Sequence, residues 1–532
     1  MTFIDLSFIL FLIGAIIFFY IVPVKYRWVA LLVISIAFYA IAGLKYLPFI
    51  FVTSLSVFLC ARQMGKVYAA SDADIEAHDY ARKEKKELKD KAKKKAKKYV
   101  VIALLLNLAI LCVVKYTKFF VNPINDLIGF MGGKEGSFSA AMIIVPLGIS
   151  YYTFSSLSYL LDVYWRRVGY ETNYLRFLLY LIYFPHILQG PIERYGRLGV
   201  RLKQELRFDW DRILGGVQLM LWGYFKKLVI ADRIDVFITN AYADYKTAGS
   251  FALVLAILLD VVYIYSDFSG CMDIARGVSA IFGVELDLNF NHPFSSLNIV
   301  EFWRRWHMSL GSWFKDYVYY PISISSLVKN ISKKTRGKTS PRISKMLITI
   351  LPVFCTWVLT GVWHGTGITY VSWGLYYSFM IFMSVTFEED FKNLNQKLHI
   401  NTETTGFRYF RMARTTLIFA GGRLLTRPGS LMDSARIFKR VFTDIDPWSI
   451  FNDHILDFGM DAKDITVAAI AIAVFGLVAH LQKQGEVSVR GLINKQNLPI
   501  RWALYMALVF AILIFGIYGM GYEASSFVYM AY

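Results

Sequence analysis

Apolar runs of about 20 residues recur along the chain between polar loops, and each is long enough to cross roughly 30 Å of hydrocarbon. The pattern predicts an all-α polytopic membrane protein. The first run, Leu6 to Val24, has no Lys or Arg before it and has Lys25 and Arg27 after it. That charge order is wrong for a cleavable signal peptide, so the run reads as a retained span. Further spans are expected over 28–43, 46–61, 99–121 and 140–161. Phe177 to Ile192 is short and is broken by Pro185, Gly190 and Pro191. With basic loops on both sides, it reads as a re-entrant or interfacial piece, since irregular backbone at membrane depth needs protein or a cavity beside it. A span from about 213 is interrupted by Lys226, Lys227, Asp232 and Arg233, and another covers 250–265. Residues 346–386 form two spans, or one span and a bent half-helix. Spans at 408–426, 464–482 and 502–521, with an amphipathic stretch over 427–443, complete a count of about eleven transmembrane helices plus re-entrant or interfacial helices.

Composition agrees with this reading. The chain is 56% hydrophobic and 17% aromatic, with a mean hydropathy of +0.44, above a typical soluble domain. A net charge of +19 would suggest nucleic acid in a soluble protein. Its clustering in a few loops points instead to membrane orientation, so no nucleic-acid partner is expected. Residues 82–98 hold eleven basic and three acidic residues, and 323–345 hold seven basic residues and no acid. Placing these loops, Arg166, Arg167 and Arg176, and Lys483, Arg490, Lys495 and Arg501 inside puts both termini outside the cell membrane. The 62–98 segment is a topogenic loop with a partly helical charged arm, which could also rest on anionic lipid or bind a partner. Cys60, Cys112, Cys271 and Cys355 are scattered, with no disulfide or metal spacing, so no metal is expected. No repeat of fixed period appears, and residues 1–532 read as one domain with its chemistry in 145–385 and extra helices over 430–532.

The candidate chemistry lies in a few polar residues inside apolar runs. His364, within Leu359-Thr-Gly-Val-Trp-His-Gly365, is an ionisable side chain at membrane depth, which is costly and points to function. An unperturbed imidazole titrates at roughly 6.5 and can move a proton near neutral pH. Gly361 and Gly365 would let a helix or a substrate approach the ring. The plainer reading is a core histidine bonded to a carbonyl. A second stretch, Glu301-Phe-Trp-Arg-Arg-Trp-His307-Met-Ser-Leu310, places Trp303, Trp306 and His307 within about one helical turn, with Arg304 and Arg305 projecting between them. Arginines suit phosphate oxygens and tryptophans suit stacking, although an interfacial helix with snorkelling arginines has the same composition. In Tyr265-Ser-Asp267-Phe-Ser269-Gly-Cys-Met-Asp273-Ile-Ala-Arg276, two carboxylates lie at or near membrane depth and require partners. Arg276, three residues after Asp273, is one candidate, and a buried ion pair is the preferred reading of these residues.

The pattern F-W-R-R-W-H-x-S-L, followed some fifty residues later by G-V-W-H-G, resembles the membrane-bound O-acyltransferase family and its bacterial branch for alginate O-acetylation and teichoic acid D-alanylation. The D-F-S-G-x-x-D element fits the same branch, as does the Gly190-Pro191-Ile192 element, where Gln189 replaces an expected small residue. The resemblance implies helices around a central tunnel, with cytoplasmic acetyl-CoA as acyl donor and no bound cofactor. The acceptor would be an exported polysaccharide or cell-wall glycan, reached through an extracytoplasmic partner protein. It implies His364 as catalytic base and His307 as a second polar group that orients the donor carbonyl or donates to the oxyanion. Trp303, Arg304, Arg305, Trp306, Trp363 and Asn291 would line the donor side, with Asp267, Ser269, Asp273, Arg276 and Gln189 as polar support. No G-x-S-x-G serine is present, which favours direct transfer over an acyl-enzyme. D-alanyl transfer from an acyl carrier protein remains the alternative within the family, and a proton-coupled transporter using His364 and Asp267 the alternative outside it.

Overall fold

The computed structural model of the chain describes residues 2–130, 146–187, 189–445, 453–484 and 488–518. Among them the regular structure is helical throughout. Nine helices are long and apolar enough to cross a membrane, and Leu6–Ile21 (α1) is a shorter apolar one. Large apolar side chains along them stand exposed, among them Leu105 and Ile514. Hydrocarbon rather than water is the solvent such surfaces suit. The chain is a multi-pass membrane protein.

The helices that matter below are Arg27–Ala42 (α2), Leu47–Ala77 (α3), Arg82–Phe130 (α4), Ile149–Tyr164 (α5), Tyr174–Ile182 (α6), Trp210–Ala243 (α7), Ser250–Ile281 (α8), Ile299–Arg305 (α9), Met308–Phe314 (α10), Pro341–His364 (α11), Ile368–Thr386 (α12), Thr405–Thr426 (α13) and Leu431–Thr443 (α14). Two departures from the expected spans have clear causes. α4 runs unbroken from the basic arm through the apolar run and past Pro123, so the loop expected at Pro123 is helix; Gly132 and Gly133 lie outside the described residues. α13, expected to span over 408–426, carries Arg408, Arg411, Arg414 and Arg423 and is not among the nine. Residues 346–386 resolve into two spans, α11 and α12. The amphipathic stretch becomes α14, capped by the Ser430 hydroxyl accepting from the Asp433 N–H.

The described chain forms two compact units, Met1–Gly216 with Val278–Asp287, and Val217–Gly277 with Leu288–Tyr532. In the first, α3 and α4 pack side by side, and the rings of Tyr159, Phe177, Tyr180 and Tyr195 form a buried cluster. Glu171 anchors the turn into α6. Its carboxylate accepts from the backbone N–H groups of Thr172 and Asn173 at 2.8 and 2.9 Å and from the Tyr195 hydroxyl, and Lys203 Nζ lies 2.6 Å away. Asn173 then caps α6 by accepting from Leu175 N–H. The expected short, broken piece is α6 followed by the single turn Phe184–Ile187, buried from Phe177 onward.

Burial opposes ionisation of Glu171, but Lys203, Tyr195 and the backbone donors outweigh it and hold the carboxyl down at about 2. A depressed folded value contributes stability in full above the unfolded value near 4.5, and that contribution is lost as pH falls through about 2. Glu171→Gln should therefore lower the melting temperature of the purified protein at pH 7, with the deficit narrowing below about pH 4. Thermal melts across pH 3 to 8 check this; a deficit independent of pH would contradict it.

Candidate active site

Trp306 and His307 occupy the break between α9 and α10. α9 starts at Asn298, whose side chain accepts from Glu301 N–H at 2.8 Å, and it ends before His307, which has φ +45°. That left-handed conformation is sparsely populated for a residue with a side chain. Two backbone hydrogen bonds hold the break in place, from Met308 N–H to the Asn289 carbonyl and from Asn291 N–H to the Arg305 carbonyl, both 2.9 Å. The ring of His307 is buried edge-on to Phe268 at 4.8 Å. Its Nδ1 lies 3.4 Å from Asn289 Oδ1, which also accepts Ser309 N–H at 2.9 Å. Asn289 Nδ2 faces Met272 Sδ at 2.9 Å, so its oxygen is the atom turned to the imidazole. An Nδ1–H directed at that oxygen leaves the lone pair on Nε2. Burial pushes the imidazole from 6.5 down to about 3, which keeps it neutral.

His364 is the last residue of α11, at the end opposite the basic 323–345 stretch. The chain reverses through residues 365–367 into α12, and the two backbones come into close approach at Gly361 and Gly374. A Cβ on Gly361 would lie 2.4 Å from the Tyr370 carbonyl oxygen. The approach that Gly361 permits is therefore that of a helix. The His364 ring sits 4.8 Å from that of Trp363 and 4.9 Å from that of Trp373, and Trp363 also reaches His307 at 6.1 Å.

One cavity of about 760 Å³ is lined by both histidines. It follows α11 from Thr349 to His364 and α12 from Tyr370 to Val385, about 22 Å along each at 1.5 Å per residue. Trp303, Trp306, Trp357 and Trp373 form much of its wall, and Arg304, Lys315 and Arg423 bring positive charge to it. Trp303 Nε1 is buried with no acceptor among the described residues.

Other expected residues fall elsewhere. Arg305, about 100° from Arg304 on the helix, pairs with Glu301 at 2.8 Å and does not line the cavity. Asn291 is exposed and also off the cavity wall; the buried asparagine beside His307 is Asn289. Asp267, Ser269, Asp273 and Arg276 lie on α8 and answer the charges of α7. Lys227 Nζ sits 2.7 Å from Asp267 and 2.8 Å from Asp232, all three buried. Lys226 Nζ sits 2.7 Å from Asp273 and 2.9 Å from Ser269 Oγ, with Arg276 3.7 Å from Asp273. A π-helical segment, Phe225–Ala231, turns both lysines inward. Gln189 belongs to the first unit, where it is buried. Sequence reasoning also passed over Asp260, which holds Arg423 through two 2.9 Å bonds. A lone acid in an apolar run was the available signal. Among the described residues no cluster of metal-ligating side chains occurs.

Residues 166–337 match the model of the membrane-bound O-acyltransferase family. The chain belongs to that family. The matched residues include the Trp303 to His307 break and stop short of His364. A probable alginate O-acetylase of Pseudomonas syringae pv. tomato is 28% identical over 72% of this chain and 68% of its own length. A peptidoglycan O-acetyltransferase of Helicobacter pylori is 28% identical over 52% and 53%. A teichoic acid D-alanyltransferase of Bacillus subtilis is 33% identical over 45% and 58%. In this membrane-bound O-acyltransferase, His307 and His364 share one aromatic-walled cavity.

The ion pairs on α8 and the residues of the cavity differ in what their loss should do. Lys227→Met leaves two buried carboxylates without their partner and should cost about 3–5 kcal/mol. Arg305→Met removes a half-buried i,i+4 pair worth about 0.3–0.5 kcal/mol. Melting temperatures of the two purified variants check this; equal losses would contradict the assignment of Lys227 to structure.

Proposed function

We propose that this acyltransferase moves an acetyl group from cytoplasmic acetyl-CoA, across the cell membrane, to an extracytoplasmic polysaccharide or cell-wall glycan. The observation that carries the reading is the single cavity reaching from Thr349 in the third turn of α11 to His364 at its far end, with cations and tryptophans along the way. Arg304 and Lys315 suit the phosphates of the donor, and the buried Trp303 N–H is available to a carbonyl of its arm. The clustering of basic residues in a few loops, 82–98 and 323–345 among them, supports an orientation with the 323–345 stretch on the cytoplasmic side. That orientation opens the Thr349 end of the cavity toward the thioester and the His364 end toward the acceptor.

In the step itself, a ring nitrogen of His364 takes the proton of the acceptor hydroxyl. The hydroxyl oxygen bonds to the acyl carbon, the carbon–sulfur bond breaks, and the thiolate recovers the proton from His364. His307, neutral with its Nδ1–H toward Asn289, offers Nε2 as an acceptor and orients the reacting groups rather than carrying charge. The resemblance to the bacterial acetylation branch supports an extracytoplasmic partner protein as the immediate or eventual acyl acceptor. D-alanyl transfer from a carrier protein is the second reading, favoured by the resemblance to the B. subtilis D-alanyltransferase. The acetyltransferases resemble the chain over more of its length, which favours acetyl.

Membranes containing the chain, the native acceptor system and acetyl-labelled acetyl-CoA should transfer label to extracytoplasmic glycan or protein. His364→Ala should reduce the rate by about 10²- to 10⁴-fold at equal protein level. No transfer by the unmodified chain, with transfer of carrier-bound D-alanine instead, would replace the acetyl reading with the second.

A further inference from the structure

Away from the cavity, the second unit carries a concave basic site of about 390 Å³ lined by Tyr245, Lys246, Arg436, Lys439, Arg440 and Thr443. We infer that this is a headgroup site for an acidic phospholipid. Tyr245 and Lys246 lie in the short connection 244–249 between two membrane-crossing helices, α7 and α8, so the site stands at the membrane boundary. The other four residues come from α14, which is tied to that connection: Ser250 N–H donates to the Asp444 carbonyl at 3.3 Å, and Arg440 donates to the Ala248 carbonyl at 3.3 Å.

The charge pattern leaves part of the site available to an anion. Asp433 and Asp444 back the two arginines, at 3.3 Å from Arg436 and in contact with Arg440, and neither acid lines the site. Tyr245 donates its hydroxyl to Asp433 at 3.0 Å. Lys246 and Lys439 are exposed and have no ion-pair partner among the described residues. A phosphate between them would gain two charge-assisted contacts without breaking an existing pair.

What selects a lipid over another anion is the rest of α14. At 100° per residue, one arc of the helix, Ser434 and Ile437, is buried, and the opposite arc carries Arg436, Lys439 and Arg440. Between the two arcs Phe438 and Phe442 project with their rings 5.2 Å apart and 58% and 63% exposed. An amphipathic helix at a membrane surface places its aromatic residues in the acyl boundary and its cations at the phosphates. Here both are present side by side.

The test uses the full chain purified in detergent and native mass spectrometry with phosphatidylglycerol and phosphatidylcholine of matched acyl chains. Phosphatidylglycerol should be retained in preference. Lys246→Ala with Lys439→Ala should weaken that retention about thirtyfold, because each basic residue near an anionic surface adds about one kcal/mol, and should leave phosphatidylcholine unchanged. Phe438→Ala with Phe442→Ala should also weaken it. Both lysines are exposed, and an unchanged melting temperature shows that the variant folds. Equal retention of the two lipids, or no effect of the lysine pair, overturns the proposal. So does competition in which inorganic phosphate or a soluble acidic oligosaccharide displaces the lipid at similar concentration and depends on the lysines but not on the phenylalanines. That pattern would make the site one for a free anion or an acidic glycan.

Discussion

Lys227 holds Asp232 at 2.8 Å and Asp267 at 2.7 Å with all three side chains buried, and the second unit depends on pairings of this kind. A charge left alone in hydrocarbon costs several kcal/mol, whereas one delivered with its counter-ion and hydrogen bonds can be kept. α7 carries two lysines and α8 carries the acids that receive them. α13 carries Arg423, and α8 again supplies the acid, Asp260. Three helices are thereby fixed in rotation and register by a handful of polar atoms. The wall of the cavity inherits that fixed arrangement, since Arg423 also lines it.

Within that frame the cavity wall combines aromatic side chains with aliphatic ones and with the polar Arg304, His307, Lys315, His364 and Arg423. Tryptophan and tyrosine rings pack at 4.8–5.9 Å around Trp303, Trp357, Trp373 and Tyr377. Such packing excludes water and strengthens each hydrogen bond made inside. The histidines enter from two different structural devices. His307 is held in a left-handed break between short helices, and His364 ends a long helix whose glycines admit its neighbour. Both devices place an imidazole where backbone irregularity is sheltered by protein, the condition under which it is tolerated at membrane depth.

The apolar periodicity made most long helices legible, because length and hydropathy are properties of the segment alone. It erred where a segment's fate depends on a partner. The charges of α7 blurred its boundaries in the sequence, yet the helix is continuous because Asp267 and Asp273 answer them from forty or more positions away. The histidines, Trp303, Arg304 and Trp306 could be found from residue type and motif, and all five line the cavity. Asn291 and Arg305, expected beside them, lie off the cavity wall. Which of two neighbouring residues turns inward at a helix break is decided by the backbone pairing of 289–291 with 305–308, and no local pattern encodes it.

The central proposal is a meeting of donor and acceptor between His307 and His364. Its most direct test is a cryo-electron microscopy map of the full chain with a non-transferable thioether analogue of acetyl-CoA. The phosphates should lie near Arg304 and Lys315, the arm along the tryptophan wall, and the thioether sulfur within reach of both imidazoles. An analogue bound outside this cavity, or seated with its phosphates at the His364 end, would contradict it.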